Sequence, residues 1–299
     1  MKKLMRFLGL MIGIFLVGGI VLVIIGWQMV GWQGMGQMVS EVSKGKVSFE
    51  DGVKIEFLDK FEAVLDKNAL FHIGDSDMFT DGKEVWKGDV EKTKVASDSV
   101  MDWNLELGGC EFVMKPSEDD SYYVEYHGKG KSQVYTKGDE LFVKVLNSSS
   151  IDFEKEENCF TLYVPTKAEL KKVEIELGAG KASMNDICAK DVKIQVGAGE
   201  LVLEDAEFEK VKVEVGAGRC AIQGEVNDDI KAECAMGSLE LKLKGEEEDF
   251  NYDIEAVSGS ISVGNHEYSG LAKEKEIDHD ADKKMELECA MGSIEVRFE

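Results

Sequence analysis

The side chains able to do chemistry are few and widely spaced. The six cysteines are Cys110, Cys159, Cys188, Cys220, Cys234 and Cys289, and the four histidines are His72, His127, His266 and His279. No HExxH, CxxC or GxSxG is present, and no glycine-rich loop precedes a helical pattern where a phosphate could sit. Asp278-x-Asp280-x-Asp282 opens like a calcium-binding EF-hand loop. It then has Lys283 at the position of the obligatory glycine and Cys289 where the bidentate glutamate belongs, so it reads as a solvated insertion loop. Polysaccharide cleavage would need paired carboxylates gathered on one face. Carboxylates are abundant, but no cluster interrupts the pattern around it. The sequence therefore offers no catalytic residues and no cofactor site, and the protein is expected not to be an enzyme.

The elements that carry these residues are copies of one unit. VEIELGAGKASM (173–184), VKIQVGAGELVL (192–203), VKVEVGAGRCAI (211–222) and IKAECAMGSLEL (230–241) start at intervals of 19 residues. YDIEAVSGSISV (252–263) and MELECAMGSIEV (285–296) follow after longer gaps. Counting the first residue of each as offset 0, apolar or small residues fall at offsets 0, 2, 4, 9 and 11, with charges between. Period two means two short strands per unit, each with one buried face. The corner between them ends in a recurrent glycine: Gly180, Gly199, Gly218, Gly237, Gly259 and Gly292. Such a corner permits φ > 0 and close approach of neighbouring coils. One unit cannot bury its apolar row alone, but a stack spaced by about 4.8 Å can. The expected fold is all-β, a β-solenoid of about 19-residue coils over residues 101–299.

An earlier stretch, Trp103–Met114, aligns without gaps on Val173–Met184, with Cys110 in place of the glycine. Strand-like Tyr122–Tyr126, Glu140–Val145 and Phe160–Val164 lie between, ending at Leu162–Pro165 (LYVP). This layout resembles the putative-adhesin family of bacterial envelope β-strand-repeat proteins, a domain of largely unknown function. The resemblance implies an opening strand, an LYVP-like element and glycine-marked coils. It also implies, for some members, a membrane anchor and a place beside envelope-stress sensors.

Stacking also decides the thiols. Cys234 and Cys289 sit at offset 4 and Cys220 at offset 9, all interior. In sequence order Cys234 and Cys289 are two coils apart, roughly 9.6 Å by strand spacing, beyond disulfide reach. Buried free thiols are expected. Offset 3 points outward and carries Glu176, Gln195, Glu214, Glu233, Glu255 and Glu288, with Lys193, Lys212 and Lys231 at offset 1. A lattice of surface ion pairs follows. At the end of the array Asp253 and Glu286 replace the lysines beside Glu255 and Glu288. This acidic end is the candidate for a weak Ca2+ site or the footprint of a basic partner. The longer intervals place extra residues at Lys242–Asn251 and Gly264–Lys284, expected to project from one corner, the second as a contact loop that tolerates deletion.

At the N-terminus, Lys2, Lys3 and Arg6 precede an apolar run without charge, and Trp27 and Trp32 follow it. The expected organisation is a cytoplasmic tail (1–6), a transmembrane anchor (7–29), a juxtamembrane stalk or cap (30–100), with one short helix around Phe57–Leu65, and the solenoid outside the cell. The formal net charge is −24, with arginine only at Arg6, Arg219 and Arg297, which argues against a nucleic-acid partner. The expected role is a membrane-anchored adhesion or scaffolding module with a protein or envelope-surface partner. A regulatory ectodomain acting on an envelope-stress sensor is the alternative, and a carbohydrate-active enzyme the weaker one.

Overall fold

The computed structural model describes residues 83–97, 99–146, 158–166, 168–270 and 272–299. The expected tail, anchor and helix at Phe57–Leu65 lie outside them. Among the described residues no helix is long and apolar enough to cross a membrane.

The described residues form one sheet of 21 strands wound on itself. The opening strands are β1 (Trp86–Lys87), β2 (Val90–Ser97), β3 (Asp102–Leu107), β4 (Glu111–Pro116), β5 (Ser121–Gly128), β6 (Lys131–Lys137), β7 (Glu140–Leu146) and β8 (Asn158–Val164). The regular rungs hold β9 (Glu169–Leu177), β10 (Lys181–Asn185), β11 (Cys188–Val196), β12 (Glu200–Val215), β13 (Arg219–Val226), β14 (Ile230–Cys234) and β15 (Ser238–Leu243). A 3-10 turn at Glu247–Asp249 leads into β16 (Phe250–Ala256), β17 (Ser260–Val263), β18 (His266–Ser269), β19 (Lys273–Ile277), β20 (Lys283–Cys289) and β21 (Ser293–Phe298).

Two parallel ladders run the length of the stack. One is β7–β3–β9–β11–β12–β14–β20–β16, and the other β8–β4–β10–β12–β13–β15–β21–β17. The register is that of the repeat: Val192 faces Val173 and Val211, and Leu203 faces Met184 and Ile222. The expected columns exist. Val196, Val215 and Cys234 stack, as do Leu203, Ile222 and Leu241, and all are buried. Burying each such aliphatic side chain contributes roughly 1.5–3 kcal/mol, which supports a stack no single rung could sustain.

The regular rungs have a third side that the two-strand reading missed. Along β12 the burial alternation slips at Glu204-Asp205 and again at Glu209-Lys210, where two successive residues point outward. The strand bends at both places, so Ala206 and Phe208 form a separate buried side. Asp186 and Asp205 take the left-handed conformation at the first of these bends. The Gly-Ala-Gly corner needs correction too. None of its recurrent glycines has positive φ. A Cβ on Gly180, Gly199, Gly218, Gly237, Gly259 or Gly292 would come within 3.0 Å of backbone in the adjoining rung, so close approach alone requires glycine there.

The order of rungs also departs from the sequence. β20 lies between β14 and β16, with Ile230 opposite Met285 and Met285 opposite Tyr252. The corner hydrogen bonds run the same way, Met291 N–H donating to Ala235 and Ser258 N–H to Ala290. Copy 285–296 thus sits directly on copy 230–241, and copy 252–263 is outermost. The other end mirrors this: β3 and β4 are flanked by β7 and β8 outside and by β9 and β10 inside. Antiparallel strands close both ends, β6 on β7 and β5 on β8 at one, β19 on β16 and β18 on β17 at the other. Residues 86–97 continue the first cap, β1 on β6 and β2 on β5.

Candidate functional site

The outward columns form the most extended feature. At the bend preceding offset 0, a groove of about 420 Å³ crosses five rungs, roughly 19 Å by strand spacing. One rim is Lys172, Asp191, Lys210, Asp229 and Lys284, alternating in sign from rung to rung. The other is Glu174, Lys193, Lys212, Lys231 and Glu286. Val192, Val211 and Ile230 form its floor. The alternation is completed by Lys284 because β20 follows β14, which sequence order concealed.

Most of these charges are paired. Lys172 Nζ lies 2.7 Å from Glu174, Lys210 lies 3.2 Å from Asp228, and Lys212 lies 2.5 Å from Glu214. Their carboxylate neighbours hold Lys172 and Lys210 above the usual lysine range, first through those hydrogen bonds. Burial acts against the charge of Lys231, but Glu288, Glu233 and Glu286 overcome it and raise the ammonium's pKa. Burial likewise opposes Glu214, and hydrogen bonds from Lys212 and Gln195 reverse it, lowering that carboxyl. Gln195 donates to Glu214 at 2.7 Å, while its Oε1 is buried without a partner. The expected ion-pair lattice is therefore present, and Lys193 makes no close ion pair among the described residues, acting on Glu176 and Glu214 at longer range.

The acidic end is wider than the sequence implied and less naked. Asp253 faces Glu286 and Glu255 faces Glu288 across β16 and β20. The cap strand β19 adds Glu276 opposite Asp253 and Glu274 opposite Glu255. Compensation does not disappear, because the swapped rung brings Lys231 to 3.4 Å from Glu286 and 3.2 Å from Glu288. Lys284 lies 2.7 Å from Glu286 and 3.9 Å from Asp253. The hydrogen bond from Lys284 holds Glu286 below the ordinary carboxyl range. Among the described residues no three His, Cys, Asp or Glu side chains converge as a metal ion requires.

The aspartate loop is organised by an amide. Asn251 Oδ1 accepts from the backbone N–H of His279 at 2.8 Å and of Ala281 at 3.3 Å, and its Nδ2 donates to Ala281 O at 2.7 Å. His279 Nδ1 lies 2.9 Å from Phe250 O, which makes it a structural residue. His127 is 3.2 Å from Glu125, whose other oxygen accepts from Tyr163 at 2.7 Å. This exposed polar cluster near the first cap was not anticipated. Its only sequence signal was alternation of Tyr, Glu and His along β5.

The cysteines are free, with Cys110, Cys220, Cys234 and Cys289 buried. Burial pushes the Cys110 and Cys220 thiols up to about 12. Cys234 and Cys289 are direct cross-strand partners, so the two-coil separation read from the sequence is wrong.

Residues 104–225 match the model of the Toastrack DUF4097 family, and the resemblance to the putative-adhesin repeat family holds over that stretch. Among solved structures, a putative cell adhesion protein from Clostridium sporogenes is 14% identical, covering 73% of this chain and 100% of its own, with a TM-score of 0.35. A putative adhesin from Bacteroides fragilis is 14% identical, covering 72% and 98%, at 0.37. A putative lipid binding protein from Parabacteroides distasonis is 13% identical, covering 72% and 97%, at 0.33. No curated protein matches the sequence.

Proposed function

We propose that this chain, whose residues 104–225 carry a Toastrack DUF4097 domain, is a non-catalytic interaction module of the cell envelope. Residues 7–29 anchor it in the membrane, the solenoid stands outside the cell, and the groove receives an extended protein or envelope-polymer segment. The observation that carries this reading is the groove itself: an apolar floor between rims of lysines and carboxylates already fixed by one another. Prepaired charges lose little entropy on binding and select partners by charge pattern. Groups activated for catalysis would instead stand in a closed pocket, and the groove is open along five rungs.

The test is retention of membrane partners by the full-length protein and by Lys193→Gln. Lys193 lies mid-groove, opposite Glu174, and makes no ion pair among the described residues, so removing its charge without adding a carboxylate should move the melting temperature little and lower partner retention at least tenfold. Unaltered retention would remove the groove from the reading. Partner loss on deleting residues 1–34, with the groove variant still binding, would favour the regulatory ectodomain. Protease added to protoplasts should remove the solenoid; a protected solenoid would overturn the anchored, external placement.

A further inference from the structure

The swapped rung order places two thiols together that the linear repeat keeps apart. Cys234 ends β14 and Cys289 ends β20, and the two are Cα partners in adjacent parallel strands. Their spacing of about 4.8 Å falls inside the range of roughly 4.4–6.8 Å that a disulfide spans. Both side chains enter the same interior column and are 3% and 2% exposed. A Cβ on Gly292, in the rung of Cys289, would lie 2.7 Å from the Cys234 sulfur, so Cys234 reaches into the next rung, and Cys289 leans the same way toward Gly259 in the rung beyond. The other cysteines are not direct partners in this way: Cys220 faces Leu201 and Leu239, Cys188 faces Glu169 and Glu207, and Cys159 faces Glu111, one register position from Cys110.

We propose that Cys234 and Cys289 form a redox-closable latch, in which a disulfide ties the inserted β20–β21 rung to the body of the stack. The two thiols are not equivalent. The hydrogen bond from Cys234 lowers the pKa of Cys289, aided by the backbone N–H groups of Gly292 and Ser260, whereas the same bond and then burial raise Cys234. That difference belongs to the closed stack, and in an opened rung either thiol can begin the exchange. With a small-molecule disulfide such as glutathione disulfide as oxidant, the thiolate of one of them, Cys289 for instance, attacks one sulfur and expels one glutathione thiolate. The resulting mixed disulfide at Cys289 is then attacked by Cys234, which gives up its proton to solvent and expels the second glutathione. Two protein thiols are oxidised, one small disulfide is reduced to two thiols, and one Cys234–Cys289 bond forms. Burial confines the exchange to molecules in which this rung has opened or has not yet closed during folding. The bond encloses residues 235–288, so it restrains the outermost rung and its cap together.

The full chain, solubilised and incubated in glutathione redox buffers at mild denaturant, is digested without reduction and mapped by mass spectrometry. A linked pair of peptides containing Cys234 and Cys289 is expected, with a melting temperature several degrees higher that returns to its starting value on reduction. Cys220→Ser should retain both effects, and Cys289→Ala, which copies Ala256 of the next rung, should lose both. Glutathione on each cysteine without the linked pair would overturn the proposal, as would a linked pair that lowers the melting temperature. If Cys289→Ala fails to fold, peptide mapping of the wild-type chain still decides.

Discussion

Lys231 shows how one residue's role depends on which rung lies next to it. Its ammonium touches Glu233, Glu286 and Glu288, so it stands where a cation would otherwise neutralise the acidic end. In the sequence Lys231 and Glu233 belong to copy 230–241, but Glu286 and Glu288 belong to a copy two repeats later, which is why the end looks uncompensated there. Replacing Lys231 with Met keeps the aliphatic stem and removes the charge. Like charges on adjacent strands then repel, and stability should fall by about 1 kcal/mol for an exposed network of this kind. Millimolar calcium should raise the melting temperature of Lys231→Met and leave the wild type almost unmoved. An equal calcium shift in both proteins would show that Lys231 does not occupy the cation's place.

Elements were legible where period two runs unbroken. Val192–Val196 and Leu201–Leu203 announced two sides of each rung, and their columns are as the repeat demands. The third side escaped because it is short and rests on small or isolated residues, Ile187 and Ala189 in one rung, Ala206 and Phe208 in the next. The excursion 264–284 departs from expectation for a different reason: polarity of KEKEI marks exposure without telling a free loop from a charged edge strand. In the structure β18 and β19 pair with β17 and β16, and Asn251 clamps the return. The two extended segments do share a corner, since Gly264 lies against Glu247, but the second folds back as a cap. Deleting residues 268–282, tolerated if this were a loop, should uncover two parallel edges and the side of Tyr252. Light scattering should then show concentration-dependent association. A monomeric, undiminished protein would return the segment to the status of a loop.

The whole stack obeys a rule that the period could not express. Every copy presents the same apolar offsets, so any two can be neighbours, and 19-residue spacing fixes adjacency only while connections are short. Where the links lengthen the order breaks: at 242–284 the chain steps outward past a vacant level and returns to fill it, and at 117–172 it lays β7 and β8 outside β3 and β4 before crossing to their inner side for β9 and β10. The C-terminal strands β20 and β21 therefore form the penultimate rung and hold everything beyond it. β16 pairs only with β20 and β19, and β17 only with β21 and β18, among the described residues. Repeat stacks gain stability from nearest-neighbour interfaces, so removing residues 283–299 should cost residues 250–277 their attachment while sparing the rungs from β3 to β13. Hydrogen exchange on the chain ending at Asp282 should show amides of 250–263 exchanging as in an unfolded segment, with 173–222 still protected. The opposite order, 285–296 outermost, would leave 250–263 protected after the same truncation, because they would then rest directly on β14 and β15.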